Sequence, residues 1–122
     1  MMTERISESE LAIMEALWDT SPLTAAEVTE RVSDRCWNDR TVKTMLGRLL
    51  AKGVIGHEED GRRYLYRPLV ARQDYVARES GRLVDRLFGG RATSLVAHLA
   101  EQNRLSDDDI ADLESLLRGL KA

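Results

Sequence analysis

The sequence is poor in the residues that build stapled, metallated or ring-stacking proteins. Cys36 is its single cysteine, so no intrachain disulfide can form, and no cysteine or histidine partner stands at ligand spacing from it. A reduced compartment fits. Aromatic residues make up 5% of the chain, too few for a binder that stacks successive bases of a single strand on exposed rings. No apolar run approaches the roughly 18 residues that cross a bilayer. The polar start, Thr3, Glu4 and Arg5, has no signal-peptide core, so the expected location is the cytoplasm with no membrane partner. Phosphate-binding loops, dinucleotide fingerprints, nucleophile motifs and clustered metal ligands are also missing, and neither an enzyme nor a cofactor or metal site is expected.

What is present is enough for a folded domain, or a small domain with an appendage: 122 residues, of which 43% are hydrophobic. The formal net charge of -3 argues against a protein coated in positive charge. That average hides a segregation. Residues 31 to 67 carry nine basic and five acidic side chains, a net +4, which leaves -7 on the other 85.

Local patterns divide the chain into short helices and one hairpin. Ser7-Glu8-Ser9-Glu10 is a capping box ahead of Leu11, Met14, Leu17 and Trp18 at helical spacing, and Ser21-Pro22 ends that helix. A second box, Thr24-Ala25-Ala26-Glu27, opens a short helix that buries Ala25, Val28 and Val32, and a loop from Ser33 to Trp37 follows. Asn38 is an N-cap for a third helix with Val42, Met45, Leu46 and Leu49 on one face and Gly53 at its C-terminal cap. Strand-like runs then flank Asp60-Gly61, the signal of a two-residue hairpin turn, with Pro68 closing the second strand. Beyond a hinge near Leu69 to Arg72 the pattern is helical, with a break at Gly89-Gly90 and a last helix capped at Ser106 and led by Asp107, Asp108 and Asp109.

The predicted fold is mainly α with a small β-hairpin wing. Residues 1 to 70 form a winged helix-turn-helix DNA-binding domain, and residues 71 to 122 form a helical dimerisation domain. If the third helix buries its four apolar residues, then Asn38 at its start and Arg40, Thr41, Lys43, Thr44, Gly47 and Arg48 along it are left to face double-stranded DNA. Arg62 and Arg63 on the wing are suited to phosphates. A solvated charged face is the plainer reading of such residues taken singly; their coincidence with the turn and the hairpin favours DNA. The second half is too apolar for one small chain, and Leu83, Leu87, Leu95, Leu99, Ile110, Leu113, Leu116, Leu117 and Leu120 are candidates for a homodimer contact. Trp18 and Trp37 read as packing residues, and His57 and His98 as surface or packing residues. Alternatives from other classes are a small-ligand sensor in the second half, a redox sensor at Cys36 with its thiolate held by Arg35 or Arg40, and a winged-helix module for protein contacts.

The ordered set Ile6-Ser7-Glu8-Ser9-Glu10, Met14, Leu17-Trp18, Trp37 to Leu49, Lys52-Gly53-Val54-Ile55 and Tyr64-Leu65-Tyr66 resembles the BlaI/MecI family of penicillinase repressors, related to the copper-responsive CopY repressors. Phe88-Gly89-Gly90, Ser94-Leu95-Val96 and Leu105-Ser106 continue the match. The resemblance implies a homodimeric transcriptional repressor of a palindromic operator, with Arg40, Thr41, Lys43 and Thr44 at DNA-contact positions. It brings in beta-lactam-response genes as targets and a sensor-protease as a partner. In sensor-regulated members an Asn-Phe bond is cut to release the operator; the matching positions here are His98-Leu99, a different bond. The clustered C-terminal cysteines of the copper-responsive relatives are missing, and Asp39 stands where a proline is common.

Overall fold

The computed structural model describes residues 5–122; the expectation resting on Thr3 and Glu4 lies outside them. The first helix, α1 (Glu8–Asp19), starts where Ser7 and Glu10 cap each other: Glu10 N–H donates to Ser7 Oγ at 3.1 Å and Ser7 N–H to Glu10 Oε1 at 2.9 Å. Thr24 and Glu27 repeat the device at the start of α2 (Ala25–Arg31). The expected loop after it contains a short 3-10 turn, Ser33–Arg35, closed by Cys36 with φ +58°. Asn38 caps α3 (Asp39–Ala51), its side-chain oxygen accepting from Thr41 N–H at 2.9 Å. The far end of α3 is a Schellman motif: Gly53, at φ +74°, donates to Leu50 O, and Val54 donates to Leu49 O.

Burial follows the apolar periodicity. Ile13, Met14 and Leu17 of α1, Val28 of α2 and Val42, Leu46 and Leu49 of α3 are fully buried, joined by Leu23, Val32, Met45, Val54 and Ile55. Ile13 belongs to this core, whereas Leu11 and Trp18 are only partly buried against it. Full burial of such side chains is worth about 1.5–3 kcal/mol each against exposure, so this one cluster holds the three helices together.

Strands β1 (Ile55–Asp60) and β2 (Arg63–Pro68) pair antiparallel, with Ile55 opposite Pro68 and Asp60 opposite Arg63. The turn therefore centres on Gly61-Arg62, one residue later than the Asp60-Gly61 centre expected from the sequence. Only Gly61 has a positive φ, +67°, the pattern of a type II′ turn, in which the first central residue alone needs it. Asp60 stays in the ladder and its carboxylate receives Arg63 at 3.1 Å. Leu23 adds a one-residue bridge to β2: its N–H donates to Tyr66 O at 3.0 Å and its carbonyl accepts from Tyr66 N–H at 2.7 Å. This bridge fastens the base of the wing to the entry of α2.

Three further helices follow: α4 (Arg72–Phe88), α5 (Ala92–Glu101) and α6 (Asp107–Lys121). The chain forms two compact units, and the division falls after Val76, inside α4, rather than at Leu69–Arg72. Residues 70–75 stay with the first unit for visible reasons. The Trp18 indole N–H donates to Val70 O at 2.8 Å, the Trp18 and Tyr75 rings are 5.6 Å apart, and Arg72 bonds Glu15 at 3.0 Å. In the second unit, α5 is followed within two residues by Asn103, which takes the left-handed conformation (φ +58°), and Ser106 forms a capping box with Asp109 ahead of α6. No described helix is long and apolar enough to cross a membrane.

Candidate nucleic-acid interface

The core fixes how α3 is rotated. With Val42, Met45, Leu46 and Leu49 buried, a step of about 100° per residue puts Arg40, Thr44 and Gly47 on the outward crest. Asp39 and Lys43 then fall on one flank, and Thr41 and Arg48 on the other. All of these residues, with Asn38, are exposed. The Thr44 hydroxyl donates to Arg40 O at 3.0 Å, so its hydrogen is committed to the helix and the side chain presents an acceptor oxygen and a methyl group outward. A Cβ built on Gly47 meets nothing within 4 Å.

A groove lies along each flank. On the wing side, about 560 Å³ is enclosed by Lys43 and Asp39 of α3, Thr24, Ala25 and Ala26 at the start of α2, and Arg62, Arg63, Tyr64 and Tyr66 of the wing. On the other side, about 410 Å³ lies between Arg40, Thr41, Thr44 and Arg48 of α3 and Ser7, Ser9 and Trp37. The Trp37 ring packs against the core and carries the Arg35 guanidinium at 5.6 Å from its centre.

The wing's cations are not equivalent. Arg63 bonds Asp60 through Nε at 3.2 Å and Nη2 at 3.1 Å. It also lies near Glu27, whose carboxyl is held below its usual range first by the Thr24 backbone and side-chain hydrogen bonds and then by Arg63 and Arg31. Arg67 is paired with Glu58 across the hairpin. Arg62, at the turn, has no carboxylate partner among the described residues. On the groove face of the wing, His57 stacks on Tyr64 at 4.5 Å and lies 5.7 Å from Tyr66. Burial, with Tyr64 beside it, pushes the Tyr66 phenol up and keeps it protonated.

Behind α3 lies a contact that the sequence reading missed. Glu10 is buried at 2% exposure, and its carboxylate receives Lys52 Nζ at 2.5 Å, while the same ammonium donates to Arg5 O at 2.8 Å. Burial opposes ionisation, but Lys52 and the Ser7 amide outweigh it and hold the Glu10 carboxyl below its usual range. Lys52 is the C-cap residue of α3, so this pair pins the end of that helix to the start of α1.

The other predicted residues are separate from this face. Cys36 is exposed and free, in the turn before α3, and Arg35 is turned to Trp37. Leu83, Leu95, Leu99 and Leu113 are half-buried in the second unit. Leu87, Ile110, Leu116, Leu117 and Leu120 are exposed by 45% to 74%. His98 is exposed on α5 with its ring 6.0 Å from Phe88, and Leu99 beside it is half-buried. No group of three or more metal-binding side chains occurs among the described residues.

Three helices, with a cationic third helix between a turn and a hairpin wing, define a winged helix-turn-helix protein. The chain belongs to the penicillinase repressor family, whose model matches residues 6–119. It is 32% identical to the penicillinase repressor of Bacillus licheniformis over 93% of this chain and 89% of that one. The solution structure of the DNA-binding domain of the repressor BlaI aligns with a TM-score of 0.54 at 35% identity, covering 61% of this chain and 92% of that domain. The Bacillus licheniformis BlaI monomer in complex with the blaP half-operator aligns with a TM-score of 0.52 at 35% identity over the same shares. The family is one of transcriptional repressors, not of enzymes.

Proposed function

We propose that this chain represses transcription as a cytoplasmic homodimer, placing α3 of each copy in a major groove of a palindromic operator. The observation that carries this reading is the division of α3 into a fully apolar buried face and an exposed face of Asn38, Arg40, Thr41, Lys43, Thr44, Gly47 and Arg48, with the basic wing turn of Arg62 and Arg63 beside it. Arginine and lysine match guanine O6 and N7 or phosphate oxygens, and threonine matches the thymine methyl. The relative solved on a half-operator supports the same use of the fold.

The first unit, through Val76, is the DNA-binding part in this reading and the second, from Ala77, the dimerisation part. Ile110, Leu113, Leu117 and Leu120 recur at alternating spacings of three and four along α6, the seam spacing of paired helices, and three of the four are exposed in a single copy. Beta-lactam-response genes are the proposed targets, on family grounds. Release by a sensor-protease at His98-Leu99 would require α5 to open, because that bond lies inside the helix. Footprinting on the DNA flanking the protein's own gene tests the reading. A protected two-fold repeat that is lost in Arg40→Ala supports it, and equal protection by wild type and Arg40→Ala removes α3 as the reader.

A further inference from the structure

Lys43 and the crest residues of α3 stand in different surroundings, and the difference assigns separate jobs to residues of one helix. A helix seated in the major groove has base edges in front of it and one sugar-phosphate backbone on each side. On α3 the crest residues Arg40, Thr44 and Gly47 point away from the core, whereas Lys43 is turned about 60° towards the wing and shares a groove with Arg62. Neither Lys43 nor Arg62 has a carboxylate partner among the described residues, while Arg63, in the same groove, is tied to Asp60. Asp39 also lines this groove, and one carboxylate against two unpaired cations leaves it net positive. The tyrosine rings of the wing form its far wall, and a channel with unpaired cations on the helix and on the wing suits a single sugar-phosphate backbone.

Building on the DNA-binding reading above, we propose that Lys43 is a phosphate contact rather than a base reader. Together with Arg62 it clamps one backbone strand in the wing-side groove, and base readout is confined to the crest at Arg40 and Thr44. Gly47, almost one turn beyond Thr44 and with open space where a side chain would stand, lets the bases approach the helix there. Thr44 offers an acceptor and a methyl, which fits the amino groups of adenine or cytosine or the methyl of thymine. Arg62, not Arg63, is the working cation of the wing.

The full-length chain tests this with two duplexes: one enriched from a random-sequence pool by the wild-type protein, and a shuffled duplex of the same composition. Affinities are measured by fluorescence anisotropy over a salt series for wild type, Lys43→Ala, Arg62→Ala, Arg63→Ala and Arg40→Ala. Lys43→Ala and Arg62→Ala are expected to weaken both duplexes by the same factor, leaving their ratio unchanged, and to reduce the salt slope by about 1 each. Arg63→Ala leaves the slope close to that of wild type. Arg40→Ala lowers the enriched-to-shuffled ratio by about tenfold. The proposal is overturned if Lys43→Ala lowers that ratio as much as Arg40→Ala does, or if it leaves the slope unchanged. Failure of the wild type to enrich any duplex, or binding indifferent to salt, sinks the DNA-binding reading itself.

Discussion

Removing Lys52 should cost more than removing the charge of Glu10, although the two are partners. The Glu10 side chain is 3% exposed and that of Lys52 is 19% exposed. Lys52→Met keeps the length and helix propensity of the C-cap but strands a carboxylate in the core. Breaking a buried pair in this way costs about 3–5 kcal/mol, and the Ser7 amide that still serves Glu10 places the expectation near 3 kcal/mol. Glu10→Gln retains the acceptor for Ser7 and leaves an ammonium that can turn towards water, so about 1 kcal/mol is expected. The double variant has no stranded charge and should cost clearly less than the sum of the two. Urea unfolding at pH 7, followed by far-ultraviolet circular dichroism at one protomer concentration, reads these differences. With a slope of about 1.5 kcal/mol per molar, Lys52→Met should lower the midpoint by about 2 M. The pH dependence has a fixed sign. In the wild type the Glu10 carboxyl lies below its ordinary value of 4.5, so the pair's contribution is present above that value and is lost as pH falls through the lowered one. In Lys52→Met the lowering influence of the lysine is gone and burial is opposed only by the Ser7 hydrogen bonds, so the carboxyl moves up relative to the wild type and acid relieves that variant. The gap between the two proteins should therefore close as pH falls. A gap that is the same at pH 7 and in acid, or a double variant equal to the sum, refutes the assignment of Glu10 as a buried ion pair.

Two further outcomes follow from the fold. Leu117→Asp combined with Leu120→Asp, at positions exposed by 55% and 74%, should convert dimers to monomers in sedimentation with helix content retained; a double variant that still sediments as a dimer moves the interface off α6. Gly61→Val imposes a branched side chain at φ +67° and should cost about 1–2 kcal/mol locally, seen as faster hydrogen exchange in β1 and β2 while α1 and α3 stay protected; unchanged hairpin exchange would mean the turn is not as described.

The elements that could be read from the chain are those whose signals are local. Ser7, Thr24 and Asn38 announce helix starts because each cap closes over three residues, and Gly53 announces a helix end because it takes a conformation most side chains resist. Glu10 was legible only as a capping residue. Its partner Lys52 is 42 positions away, and no periodicity links a capping acid to a lysine at another helix's end. The Leu23 bridge to Tyr66 is hidden for the same reason. The hairpin was visible but its register was not: Asp60-Gly61 fits a turn with positive φ at both central residues, and the Arg63 guanidinium waiting for Asp60 favours the alternative in which Asp60 remains in the strand. The boundary after Val76 depends on Trp18, whose indole holds Val70 across 52 positions.

Why the exposed face of α3 was legible and the packing of the second unit was not has one physical cause. On α3 the exposed face is the complement of a buried one. Val42, Met45, Leu46 and Leu49 find their whole environment within this chain, so their spacing alone sets which way Arg40 and Thr44 point. The second unit has no such reference: among the described residues from Ala77 onward none is fully buried, and Leu116, Leu117 and Leu120 stand more than half exposed. In the proposed dimer, leucines at that exposure would form half of a core. The rotation of each helix about its axis would then be set by the partner surface rather than by this chain alone. If a second copy with the same leucine seam supplies that surface, as proposed above, the orientation of α4, α5 and α6 is a property of the pair, which one sequence read alone does not contain.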